Sequence, residues 1–131
     1  MVINRSRVLV LSFVLVMLGA LAVSLPRAEA RTFSTATSFG FYSGTPVLPD
    51  SFLGQVASND NRCLAGRVVK VYKERGRRDR LIGRDRASST GQWIIERNVG
   101  RARYYALIPS KPIDGGRNVC RQYKTSAWLF G

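Results

Sequence analysis

Nine basic side chains crowd the stretch from Arg67 to Arg86: Arg67, Lys70, Lys73, Arg75, Arg77, Arg78, Arg80, Arg84 and Arg86. Guanidinium groups pair bidentately with phosphate or carboxylate, and a row of them displaces counterions from a polyanion. The candidate anion-binding set is therefore Arg75, Arg77, Arg78, Arg80, Arg84 and Arg86, with Arg97, Arg101 and Arg103 extending it at an opposite loop. Partners of matching chemistry are acidic polysaccharide, teichoic-type cell-wall polymers, nucleic acid without sequence preference, and anionic lipid. A compositional reading stands beside this one. The chain has 17 arginines to 4 lysines, as a GC-rich genome yields without any ligand, and charged residues also guard edge strands. Sequence-specific DNA reading is not expected, because no recognition helix is visible.

The residues also exclude chemistry. There is no histidine, which removes Ser-His and Cys-His nucleophile pairs and the usual zinc sites. The two cysteines, Cys63 and Cys120, are too few and too far apart for a four-cysteine metal site or a C-x-x-C redox motif. No phosphate loop or dinucleotide fingerprint occurs, so no cofactor is implied. Asp60, Glu74, Asp79, Asp85 and Asp114 sit in polar or charged stretches and Glu96 ends a strand-like segment; these read as solvated surface carboxylates. The Asn59-Asp60-Asn61 cluster reads as a turn, since it lacks the ligand count of a calcium loop. A non-enzymatic protein is expected, with a carboxylate-dependent hydrolase as the less favoured alternative.

Residues 1–30 are laid out as an export signal: Arg5 and Arg7, an apolar run from Val8 to Leu25, then Pro26 and the small residues Ala28 and Ala30 around Glu29. The mature chain is expected to begin at Arg31 and to be secreted. The alternative is an uncleaved anchor, since the run approaches the roughly 18 residues of a membrane span. Loss of the leader removes three arginines and one glutamate and leaves a net charge of +11 on 101 residues. A chain of that size holds one modest core and gains from a staple. Two cysteines in an exported chain read as one disulfide, Cys63 with Cys120.

The elements that must position the arginines read as short strands. Residues 31–50 interleave Phe33, Phe39, Phe41 and Tyr42 with glycine and proline, and form either a flexible arm or the first edge strand. Ser51 to Ser58 alternates, with Phe52, Gly54 and Val56 on one face. Arg67 to Lys73 alternates Val69 and Val71 with Lys70 and Tyr72. Glu74 to Asp79 is a charged hairpin tip and Arg80 to Arg86 its returning strand. Gln92 to Glu96 turns Trp93 and Ile95 inward after the turn Ser88-Ser89-Thr90-Gly91, and Arg103 to Ile108 places Tyr104, Ala106 and Ile108 on one face. Asn118 to Phe130 closes the fold. Six or seven short strands with turn clusters at this spacing predict an all-β sandwich, with residues 51–131 as the domain. The core is expected from Val56, Val69, Val71, Ile82, Trp93, Ile95, Tyr104, Ala106 and Ile108.

Between Ser51 and Cys120, the order Gly54-x-Val56, Val69-x-Val71, Thr90-Gly91-x-Trp93-x-Ile95 and Tyr104-x-Ala106 resembles the prealbumin-like, carboxypeptidase-regulatory (transthyretin-like) β-sandwich of small secreted bacterial proteins. The cysteine positions resemble a variant of that family. The resemblance implies an all-β Greek-key β-sandwich of about seven strands and no activity, and the absent histidines set the chain apart from the family's hydrolase branch. Gly100 departs from the pattern by standing four positions before Tyr104. Together the residues point to a secreted, monomeric, non-catalytic interaction module for anionic polymers. The alternative is a structural or protein-partner module using Tyr42, Trp128, Leu129 and Phe130, with the charge serving solubility.

Overall fold

A computed structural model describes residues 29–131, so the expected leader lies outside the described residues except for Glu29 and Ala30. Extended backbone dominates them. The strand segments are β1 (Thr32–Phe33), β2 (Ala36–Thr37), β3 (Gly40–Tyr42), β4 (Ser51–Ala57), β5 (Val68–Lys73) and β6 (Arg80–Arg86). They continue with β7 (Gln92–Glu96), β8 (Ala102–Ile108), β9 (Lys111–Ile113), β10 (Asn118–Cys120), β11 (Tyr123–Lys124) and β12 (Trp128–Phe130).

The sandwich itself has seven strand positions, because two pairs of segments are interrupted pieces of one line. β2 and β3 pair with β4 in a single unbroken antiparallel register, and Ser38 between them donates its N–H to Gln55 O at 3.2 Å. β11 and β12 lie end to end along β8, with the register slipping by one residue between them. Thr125 fills the slip: its N–H donates to Ala106 O, and its hydroxyl accepts the Ala106 N–H at 2.9 Å. A side chain thus stands in for a missing ladder bond.

One sheet runs β2/β3, β4, β7; the other runs β6, β5, β8, β11/β12. Consecutive strands β4 and β5 lie in opposite sheets, as do β7 and β8, while β4 pairs with β7 and β5 with β8. These crossed connections make an antiparallel Greek-key sandwich. A small third sheet, with β1 parallel to β10 and β10 antiparallel to β9, adjoins the Cys63–Cys120 disulfide.

Two boundaries differ from the sequence reading. The sandwich begins at Ala36 rather than Ser51, because Ala36–Tyr42 takes the second of the two alternatives for residues 31–50 and pairs with β4 as an edge strand. The expected closing strand 118–130 is divided: residues 118–120 join the small sheet and residues 123–130 line β8. The break follows from bonding at its joint. Cys120 is tied to Cys63, the Arg121 N–H donates to Phe33 O, and the Arg121 carbonyl accepts from Arg67, so the chain is drawn off one sheet before meeting the other.

All nine residues expected in the core are buried there, joined by Phe52 and Ala87. Gly54 stands opposite Trp93, and a Cβ on it would lie 2.1 Å from Ser38 O and 2.7 Å from the indole ring. Only glycine lets the ring cross the strand at that height. The Trp93 Nε1–H is satisfied inside the core by Thr37 Oγ1 at 2.9 Å. The spacing of Gly100 and Tyr104 also acquires a reason: the Tyr104 hydroxyl donates to Gly100 O at 2.5 Å, closing the β7–β8 connection as a tyrosine corner.

Candidate anion-binding face

The β5–β6 hairpin distributes its arginines through one irregularity. Val71 pairs with Gly83, but Tyr72 pairs with Leu81, which leaves Ile82 as the extra residue of a β-bulge. Ile82 turns into the core, while Arg84 and Arg86 stay exposed on the outer face opposite Lys70 and Val68. Arg80 lies beyond the bulge, pairs with Lys73, and faces a separate depression shared with Arg97 and Tyr104. Arg75, Arg77 and Arg78 stand exposed on the tip. Asp79 fixes that tip: its carboxylate accepts the Arg75 N–H at 3.0 Å and the Tyr105 hydroxyl at 2.5 Å. These two bonds, Tyr105 first, hold the Asp79 carboxyl below its ordinary pKa. The six arginines therefore occupy three places. Of the extending set, Arg97 donates to Ile82 O at 2.5 Å, Arg103 stands 4.0 Å from Glu74, and Arg101 is exposed in the loop before β8.

Arg84 and Arg86 are brought together with two lysines. With Lys70 of β5 and Lys111 of β9 they surround a groove of about 370 Å³ that no carboxylate lines. Arg67 lies in its wall and is only 1% exposed. Its Nη1 donates to Thr35 Oγ1 at 3.0 Å and to Cys63 O at 3.2 Å, and its Nη2 to Pro109 O at 2.9 Å and Arg121 O at 3.1 Å. All four acceptors are neutral, and no carboxylate is paired with this guanidinium among the described residues. Burial pushes its pKa below the ordinary arginine value. The Nε–H has no protein acceptor among the described residues. Hydrogen bonds keep the group in place and leave its charge uncompensated.

Along the same outer face, the next register pair is Tyr72 and Tyr105, whose rings stack at 5.4 Å with the Lys124 ammonium 4.4 Å above Tyr105. Burial, and then the bond to Asp79, raises the Tyr105 pKa. The face thus runs from cationic groove to aromatic pair to charged tip. Sequence reasoning placed Arg67 and Lys70 on the hairpin but missed Lys111, which reads as loop and arrives beside β5 only through the β9–β10 pairing. Nothing in the sequence marks Arg67 as buried.

Carboxylates converge at one place only among the described ion pairs that share a cation. Arg62 pairs with Asp60 at 2.9 Å and with Asp114 at 2.6 Å, and Asn118 also donates to Asp114. The Arg62 hydrogen bond holds Asp60 below the ordinary range, and the Asn118 and Arg62 bonds do the same for Asp114. Both acids are committed to one guanidinium, and neither is poised to accept a proton at neutral pH. At the C-terminus, Phe130 packs on Phe39 and Phe41, while Trp128 and Leu129 are 58% and 54% exposed.

The chain matches no protein-family model, no curated protein and no solved structure.

Proposed function

We propose that this is a secreted, non-catalytic sandwich module, akin to the prealbumin-like family, that holds anionic polymers on the outer face of its second sheet. The observation that carries the reading is the groove in which Lys70, Arg84, Arg86 and Lys111 meet with no carboxylate among them. Charge of one sign lines this groove, with the Asp85 carboxylate in the adjoining depression beside Arg84 and Arg86; such a lining raises the local concentration of a polyanion and is screened by salt. Beside it the Lys124 ammonium, 4.4 Å from the Tyr105 ring, adds a further cation to the same face. The two acids on Arg62 favour a binding role over a hydrolytic one, since neither is free to act as acid or base.

The test is binding of the oxidised domain to single-stranded polyanions across a salt series. If the four groove cations make the contacts, the logarithm of affinity falls against the logarithm of salt with a slope of about −3, at ~0.7 per neutralised phosphate. Absence of binding at low salt sinks the proposal. It would move attention to the exposed Trp128 and Leu129, the feature that favours a protein partner.

A further inference from the structure

We infer that the groove is a seat for a single phosphomonoester group, such as the phosphorylated end of a polymer or a sugar phosphate. The inference rests on the anionic-polymer reading and names the chemistry recognised at one end of that face. Five cationic side chains, Arg67, Lys70, Arg84, Arg86 and Lys111, line a space of about 370 Å³ without an acid. A carboxylate or a phosphodiester brings one negative charge to such a site. A phosphomonoester brings nearly two at pH 7 and three acceptor oxygens, so the same cations attract it about twice as strongly. The donor set fits that count, with two exposed guanidinium forks and two ammonium groups around the opening.

Arg67 separates this groove from an ordinary basic surface. The arginines of the hairpin tip are exposed to solvent, whereas Arg67 is buried and fixed by four neutral oxygens. Its field therefore points into the groove through less water and is screened less than a surface charge. The volume is near the small end of ligand pockets, which run from about 300 to 1,000 Å³, and suits a phosphate with one sugar-sized body. Val68, Pro109 and Pro112 supply the apolar part of the wall.

The absence of histidine makes the proposal easy to isolate. No side chain of ordinary pKa titrates between pH 5 and 8 in this chain. A phosphomonoester does, with a second pKa of about 6, and a phosphodiester does not. The experiment compares two fluorescent oligothymidylates, identical except that one ends in a 5′-phosphate and the other in a 5′-hydroxyl, by anisotropy at pH 5 and pH 7.5. The phosphorylated probe is expected to bind about tenfold tighter at pH 7.5, with the preference shrinking at pH 5. In the double variant Arg86→Gln, Lys111→Ala both probes should bind more weakly and the preference between them should vanish; a tenfold preference that survives the double variant overturns the seat. Equal binding of both probes at both pH values overturns the phosphomonoester seat and leaves the polymer reading standing. Failure of both probes to bind at low salt overturns the polymer reading itself.

Discussion

The Arg67 guanidinium donates to the carbonyl oxygen of Cys63, 3.2 Å away, on the very residue whose sulfur is bonded to Cys120. Its other terminal nitrogen reaches Arg121, the residue after Cys120. A covalent bridge and a hydrogen-bonded one thus run side by side between the same two chain segments. Replacement Arg67→Met leaves Thr35 Oγ1 and three carbonyls without this donor. At roughly 1 to 3 kcal/mol for a buried polar group left unpaired, with partial relief from water at the two partly buried carbonyls, the expected loss is about 3 kcal/mol. Urea unfolding reads it, and Arg67→Lys, with three donors, should recover part.

Reduction of the disulfide tests the covalent half of the clamp. Opening a bridge across 57 positions releases about 4 kcal/mol of chain entropy to the unfolded state. Melting with and without reductant should show a loss of that order. Where the reduced domain is still folded by near-ultraviolet dichroism, its affinity for polyanions should drop as well, because the two segments whose Cys63 and Arg121 carbonyls hold Arg67 in the groove wall are no longer tied to each other. Unaltered binding in reduced, folded protein would separate the groove from the disulfide.

Two sets of arginines can be weighed against each other. The pair Arg84→Gln, Arg86→Gln should reduce the salt slope of single-strand binding by about 1.4, at ~0.7 for each phosphate no longer neutralised. The triple change Arg75→Gln, Arg77→Gln, Arg78→Gln at the tip should alter the slope less. If the tip set costs more, the ligand sits on the hairpin end and the groove assignment fails.

Asp60, Asp79 and Asp114 all have carboxyl groups held below the ordinary value of 3.8 in the folded state. The unfolded chain binds their protons first as pH falls, so the stability these groups add is present above about pH 4 and is lost as pH drops through their folded values. Tyr105 gives the opposite sign. Its hydroxyl keeps its proton beyond the ordinary value of 10.0, so its contribution is present below pH 10 and fades as pH rises through the folded value. A melting-temperature profile should be flat between pH 5 and 9 and fall on both sides. In Asp79→Asn the acid limb should become shallower.

Removing the Tyr104 hydroxyl with Tyr104→Phe breaks the bond to Gly100 O and keeps the buried ring. The expected cost is about 1 kcal/mol, read as a shift of the urea midpoint. A change below the error of that measurement would mean that the corner contributes little beyond the packing of the ring.

Alternation of apolar residues made the core readable in advance, because a side chain that packs inward on a two-sided sandwich must recur every second position. β6 shows where that rule reaches its limit. Ile82 shares parity with Arg80, Arg84 and Arg86, so a regular strand cannot bury the isoleucine and expose all three arginines. The bulge resolves the conflict by spending one residue, and Arg80 leaves the face that Arg84 and Arg86 keep. No local residue type announces that choice; it is made by Val69 and Val71, whose demand for an inner face fixes the register. The groove was legible by half for a related reason. Arg84 and Arg86 belong to a visible hairpin, but Lys111 reaches them through a small sheet whose two- and three-residue strands carry no periodic signal, and a buried arginine resembles an exposed one in sequence.

Asp85 on β6 accepts the N–H of Ile94 on β7 at 2.9 Å, and Arg97 donates to the carbonyl of Ile82 across the same gap between the sheets. Ser88 takes both the N–H and the carbonyl of Gln92 on that border. A neighbouring molecule that tried to add a strand to β7 would find the Gln92 N–H and carbonyl and the Ile94 N–H already occupied. Along this flank one carboxylate and one serine thus do for β7 what a further strand would do, and the sheet ends there without a free ladder at Gln92.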